Sequence, residues 1–235
     1  MVSDELLKIV QKRQVIYAFL KSVYEKELPK ALLVEMPQKM KPLLSVADLL
    51  PNAETKQLVK ELVQFTEKIP SEDLDKLVVR LAADYAGLFL CINKVPDHPS
   101  ESAYREGMMM QHSRDEVLKM YWSFKVDKKE DFPEPEDHIA VELSFMIYLC
   151  GKAVEALNNK DGKEAEKYLQ GQRDFLEEHL AKWIPKFVKD ILNTGKTPFY
   201  KGIAAVITTR PHGRAIPSRI SEFVEVQLQP HGSEG

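Results

Sequence analysis

Residues 70–92 read PSEDLDKLVVRLAADYAGLFLCI, and this stretch decides the fold class. Its apolar positions Leu74, Leu77, Val78, Leu81, Tyr85, Leu88, Phe89 and Ile92 recur at spacings of three and four, drawing one stripe down a helix. Pro70 and Ser71 stand just ahead, and Glu72 and Asp73 fall in the first turn, where a cap oxygen and negative charge satisfy exposed amides and the helix dipole. Similar stripes run through residues 6–24, through Leu58, Leu62, Phe65 and Ile69, and through Ala165, Tyr168, Leu169, Phe175, Leu176 and Leu180. Residues 139–157 differ, because LSFMIYLC (143–150) is apolar nearly all round, as a helix covered by neighbours on several sides would be.

Most of the 14 prolines fall between these stripes, where a missing amide hydrogen does least harm. The polar, proline-containing stretch KVDKKEDFPEPE (125–136) reads as a hinge loop before the central helix. The pattern predicts an all-α fold, a single globular bundle of about ten helices. That helical domain spans residues 1–209, and an irregular C-terminal tail spans 210–235. In the tail, FVEVQLQ (223–229) alternates Val224, Val226 and Leu228 with polar residues at strand period. One short strand cannot hold itself, so the tail is expected to dock on the body or on another chain.

The 36 acidic residues outnumber the 33 basic ones, for a formal net charge of −3, which excludes a general phosphate-backbone binder and suits a cationic partner better. Cys91 and Cys150 lie within apolar helical patterns with no paired-cysteine motif, so both read as reduced core residues. The N-terminal MVSDELLKIVQKRQ lacks the apolar run of a secretory signal, and the longest apolar stretches are too short to span a bilayer. A cytoplasmic location is expected.

The segment Glu134-Pro135-Glu136-Asp137-His138 sets three carboxylates and a histidine before the most apolar helix. In one reading Glu134 caps the helix, Pro135 takes its first position, and Glu136 and Asp137 offset the dipole, which leaves His138 unexplained. In the other, a rigid acidic edge beside an apolar surface receives a ligand with arginines followed by a greasy segment, because carboxylates accept paired hydrogen bonds from guanidinium groups.

This segment resembles the E-P-x-D-H hallmark of the TorD/DmsD family, and further blocks accompany it in order. They are Tyr85 with Leu88-Phe89; Pro99, Ser102 and Tyr104; Glu142, Leu143, Phe145 and Met146; and Phe175, His179, Leu180, Trp183, Pro185 and Phe187. Gly87 and Phe124 depart from the family pattern. The resemblance runs from the first helix to about residue 209. It implies a cytoplasmic chaperone that catalyses nothing and binds the twin-arginine leader and catalytic subunit of a molybdenum oxidoreductase. Cofactor insertion would then be completed before export or assembly. It also implies a leader site at Glu134, Pro135, Asp137, His138 and Glu142, and no cofactor or metal held by the chain itself, since the client carries the molybdenum cofactor. The protein would be a monomer or a domain-swapped homodimer exchanging through residues 125–136.

Met108, Met109 and Met110 cannot all face one side of a helix, and their flexible thioethers suit the leader's apolar part. Tyr85, Phe89, Trp183 and Phe187, with His98, His112 and His179, read as packing residues, His179 making a structural hydrogen bond near the core. The enzyme alternative is a metal-dependent phosphohydrolase using Asp137, His138 and Glu142, but no G-x-S-x-G turn or glycine-rich phosphate loop is present. The non-enzymatic alternative is a general helical adaptor for amphipathic segments.

Overall fold

The computed structural model describes residues 2–47, 53–90, 98–128 and 132–207, and among them the chain forms ten α-helices and no strand. In chain order these are α1 (Val2–Glu25), α2 (Lys30–Ala47), α3 (Ala53–Lys68), a 3₁₀ turn (Ile69–Ser71), α4 (Leu74–Phe89), α5 (Glu101–Glu106) and α6 (His112–Ser123). After the hinge come α7 (Ile139–Asn158), α8 (Gly162–Phe175), a π turn (Leu176–Leu180), α9 (Ala181–Thr194) and α10 (Pro198–Ile207). The all-α bundle expected from the stripes is the fold. The expected strand at 223–229, the tail and Cys91 lie outside the described residues.

Local chemistry sets the helix starts. Asp73 caps α4, its carboxylate accepting from the Asp75 and Lys76 amides, while Pro70 and Ser71 belong to the 3₁₀ turn ahead of it. Asp161 caps α8 in the same way through the Glu164 amide at 3.0 Å. Three prolines depart from the expectation that they separate helices: Pro37 and Pro42 lie within α2 and Pro185 within α9. In α9 the buried stripe of Trp183, Ile184, Phe187, Val188 and Ile191 outweighs the local cost of about 3 kcal/mol for an interior proline.

Helix α7 is the central element, packed along α1 on one flank and α8 on the other. It buries Leu143, Phe145, Met146, Leu149, Cys150 and Ala153. Cys150 is a free thiol whose Sγ donates to the Gln172 side chain at 3.4 Å, and burial pushes it up to about 12, so it is inert core. Phe89 sits at an aromatic junction, with the rings of Tyr24, Tyr85, Phe187 and Tyr200 at 5.0–6.0 Å. Tyr85, Phe89, Trp183 and Phe187 are thus core, as their stripes imply. Phe124, where the family pattern often has glycine, lays its ring against Gly171 of α8 in space that any Cβ there would fill.

The last helix is fastened by a buried carboxylate. Asp84 of α4 accepts from the Lys196 amide at 3.0 Å, the Thr197 amide at 2.8 Å and the Thr197 hydroxyl at 2.6 Å, just before α10 begins. α10 then packs on α3, where a Cβ at Gly202 would overlap Leu62 and come within 3.0 Å of the Leu58 carbonyl oxygen. Because one neighbour is backbone, Gly202→Ala is expected to cost roughly 1–3 kcal/mol by overpacking. Urea denaturation monitored by circular dichroism would check this, and an unchanged midpoint would show that α3 and α10 can separate freely.

Candidate functional site

Two chain segments clip together ahead of α5 and α7. Ser100 and His138 face each other in an isolated antiparallel bridge. The Glu101 amide donates to the Asp137 carbonyl at 2.9 Å, and the Ile139 amide to the Pro99 carbonyl at 2.9 Å. Asp137 Oδ2 also accepts from the Ser102 amide at 2.7 Å, so this carboxylate caps α5 from across the clip, while Ser100, the local cap residue, makes no side-chain cap bond. α7 begins at Ile139, not at Pro135. Its cap is His138, whose Nδ1 accepts from the Ala140 amide at 3.1 Å, which gives a physical role to the residue that the capping reading left unexplained. Burial, with His98 and Lys128 nearby, pushes the His138 imidazole down to about 3, so the ring is neutral and its lone pair stays available.

Beneath the clip lies a buried polar layer. Glu101, fully buried, receives the Arg105 guanidinium at 2.6 Å and meets His179 Nδ1 at 2.9 Å. Glu142, also fully buried, accepts from the Trp183 indole at 3.1 Å. Burial holds the Glu142 carboxyl well above the usual carboxylate range, and the negative charges of Glu101 and Asp137 add to this. Burial likewise raises Asp137, against the lowering effect of its Ser102 bonds. The π turn carries His179 into this layer, where it makes the structural bond its sequence context suggests.

The outward face differs. Glu134 keeps 34% of its side chain exposed and meets His98 Nε2 at 3.0 Å. Glu136 keeps 17% and accepts from Arg114 Nε at 2.6 Å, and Tyr121 donates its hydroxyl to the Glu136 carbonyl at 3.0 Å. Burial is the largest single influence on the Glu136 carboxyl and raises it, but the Arg114 bond, a backbone hydrogen bond and the charges of Arg114 and Lys128 together outweigh it, and the net shift is downward. Lys128 Nζ donates to the carbonyls of Phe132 and Glu134 at 2.8 and 2.6 Å and folds the hinge back on itself. Beside this hinge opens a cleft of about 460 Å³, with Val126, Phe132, Val141 and Phe145 as apolar walls and with Lys21, Glu25, Asp127 and Lys128 as its charged residues.

The residues expected at a leader site therefore divide. Glu134 and Pro135 lie at the surface, whereas Asp137, His138 and Glu142 are internal and bonded to Ser102, Ala140 and Trp183. Among the described residues no three His, Cys, Asp or Glu side chains gather to hold a metal ion. Met108–Met110 are not helical. They follow Gly107, which turns the chain with a φ of 80°, and all three are exposed. His112 is exposed at the start of α6 rather than packed, pairing with Glu116 at 3.2 Å. Sequence reasoning missed Glu101, Arg105 and Arg114. The four-residue spacing of Glu101 and Arg105 was a signal, but nothing local marks the pairing of Arg114 with Glu136.

A sequence profile described as the nitrate reductase delta subunit matches residues 50–189, which include the clip, the buried layer and the hinge. The chain belongs to that family. A relative at 30% identity over 206 residues, 87% of this chain and 93% of its own length, is the chaperone protein TorD of Vibrio parahaemolyticus. The chlorate reductase assembly chaperone of Ideonella dechloratans is 37% identical over 115 residues, 46% of this chain and 55% of its own. The selenate reductase assembly chaperone of Thauera selenatis is 31% identical over 112 residues, 48% of this chain and 57% of its own. These delta-subunit relatives are named as chaperones, not as enzymes. Among the described residues no helix is long and apolar enough to cross a membrane.

Two buried groups give opposite pH signatures. His138 has a folded value below its unfolded 6.5, so its contribution is complete above about 6.5 and is lost as pH falls toward 3. His138→Asn keeps a cap acceptor without the titration, and on going from pH 7.5 to 5 it should lose less thermal stability than the wild type. Glu142 has a folded value above its unfolded 4.5, so its contribution is complete below about 4.5 and is lost as pH rises through the folded value. Glu142→Gln retains an acceptor for Trp183, and its stability should therefore fall less than the wild type's between pH 5 and 8. Parallel melting curves for wild type and variant would test each assignment.

Proposed function

We propose that this protein is a cytoplasmic maturation chaperone for the catalytic subunit of a molybdenum-cofactor reductase. It grips the subunit's twin-arginine leader and holds back export or assembly until the cofactor is in place. The reductase partner is supported by the assembly chaperones among its relatives. The leader grip is supported by one geometric observation: the two outward carboxylates of the 134–138 segment, Glu134 and Glu136, stand on a hydrogen-bonded clip near a cleft with both apolar walls and charged residues of either sign.

In this reading the leader's guanidinium groups pair with Glu134 and Glu136, competing with His98 and Arg114, and its apolar segment enters the cleft between Val126, Phe132, Val141 and Phe145. Asp137, His138 and Glu142 act from beneath by holding the clip. Met108–Met110, exposed in the turn before α6, offer further adaptable apolar contact. The chain breaks no covalent bond; its action is binding and timed release. It brings no cofactor, and the molybdenum group belongs to the client.

Calorimetric titration with a twin-arginine leader peptide and its twin-lysine version tests the reading. Glu134→Ala/Glu136→Ala should weaken twin-arginine binding by roughly tenfold or more with little change in melting temperature, since charge-assisted bonds contribute about 1.5–3 kcal/mol. Asp137→Ala should instead cost about 1 kcal/mol of stability by uncapping α5, and replacing all three methionines by alanine should weaken binding severalfold. Equal affinity for the lysine version would favour a general adaptor, because bidentate recognition requires the guanidinium fork.

A further inference from the structure

The turn between α5 and α6 holds three thioethers in water. Met108, Met109 and Met110 are 64%, 46% and 62% exposed, whereas Met36, Met40 and Met146 lie in the core and Met120 is partly buried. The other large apolar side chains exposed among the described residues, Val15, Val34, Val79, Leu90 and Trp122, stand singly along the sequence. Resting on the proposed leader-binding reading for its consequence, we infer that Met108–Met110 is a reversible oxidation site. Hydrogen peroxide converts its thioethers to sulfoxides, and the turn then loses its hold on the leader's apolar part.

Backbone geometry keeps these side chains outside. Gly107 leaves α5 at a φ of 80°, and Met110 takes a φ of 58°, a left-handed conformation that residues with a side chain rarely adopt and that persists where surrounding bonds over-determine it. Such bonds flank the turn. The Glu106 carboxylate accepts from the Ser113 amide at 3.1 Å and from the Ser113 hydroxyl, joining the end of α5 to the start of α6, and the Gln111 side-chain amide donates to the Met109 carbonyl at 3.0 Å. With its ends tied to each other, the turn has no slack with which to draw the methionines under cover. Sulfur chemistry then sets the order of attack. Transfer of one oxygen atom to a thioether breaks the peroxide O–O bond, forms an S–O bond, oxidises the sulfur by two electrons and reduces the hydrogen peroxide to water. The oxidant must reach the sulfur, which exposure permits at 108–110 and burial prevents at Met36, Met40 and Met146. Each product is a polar, chiral side chain in place of a flexible apolar one, so the contact it could offer an apolar segment is lost. Core packing is untouched, because none of the three belongs to the buried cluster. A methionine sulfoxide reductase reverses the step, taking the oxygen away as water while two thiols become a disulfide.

The test uses the full chain. The protein is treated with increasing amounts of hydrogen peroxide, the peroxide is removed, and peptide mapping by mass spectrometry locates each added oxygen. Sulfoxides are expected at 108–110 well before Met36, Met40 and Met146. Calorimetric titration should then show the affinity for a twin-arginine leader peptide lowered severalfold at an unchanged melting temperature, and methionine sulfoxide reductases with a dithiol should restore it. The variant M108L/M109L/M110L should have a leader affinity that peroxide treatment does not change. Oxidation of the core methionines at the same rate would overturn the assignment, as would sulfoxides at 108–110 that leave leader affinity unaltered, or an equal loss of affinity in the leucine variant. If neither the treated nor the untreated protein binds the leader, the leader-binding reading fails and takes the switch with it, while sulfoxides mapped to 108–110 and removed by the reductases still establish the modification site.

Discussion

The pair of backbone hydrogen bonds exchanged between residues 99–101 and 137–139 is the constraint on which the rest of the site depends. It joins the starts of α5 and α7, two helices whose first-turn amides would otherwise face each other unpaired. Neither helix is capped conventionally. α5 borrows Asp137 from the other strand of the clip, and α7 uses an imidazole that burial keeps neutral. Each cap requires the clip, and the clip requires both caps to offset the cost of drawing so many polar groups away from water. Glu101 and Glu142 can occupy the layer beneath only because Arg105, His179 and Trp183 meet them there.

This arrangement divides five consecutive residues between an inward, helix-fastening set and an outward one. Asp137 and His138 turn inward and fasten helices, while Glu134 and Glu136 turn outward, each already bonded, to His98 and to Arg114. In the proposed grip a docking cation would meet carboxylates already held in place by these bonds, which it must displace, so that little conformational entropy remains to be lost on binding. Relatives of this chain are named as reductase assembly chaperones, and for the leader grip proposed above such preorganisation would be the useful property.

The helices were legible because apolar spacing reports burial directly: the stripe from Leu74 to Phe89 and the all-round apolar α7 are both core in the structure. The division of the motif was not legible. Glu136 and Asp137 are adjacent and chemically alike, and what sends one outward and the other inward is a segment 35 residues upstream that offers the Ser102 amide. The Glu101–His179 contact spans 78 residues, a separation no local pattern encodes. The methionines failed to form a helix because Gly107 turns the chain at positive φ, a backbone choice that a glycine permits but does not announce. Pro185 misled for the opposite reason, since tertiary burial overrode a strong local preference.

The π turn at Leu176–Leu180 widens one turn in an otherwise continuous helical path from α8 to α9. The five residues of this wide turn advance the chain through about the same angle as four residues of regular α-helix, so the turn takes up one extra residue without throwing α9 out of phase. Trp183 therefore still meets Glu142, and Phe187 still reaches the aromatic junction. Excess length is thus absorbed within a single turn, and its local result is to bring His179 against Glu101, so a one-residue deletion here should spare the packing of α9 while removing that contact.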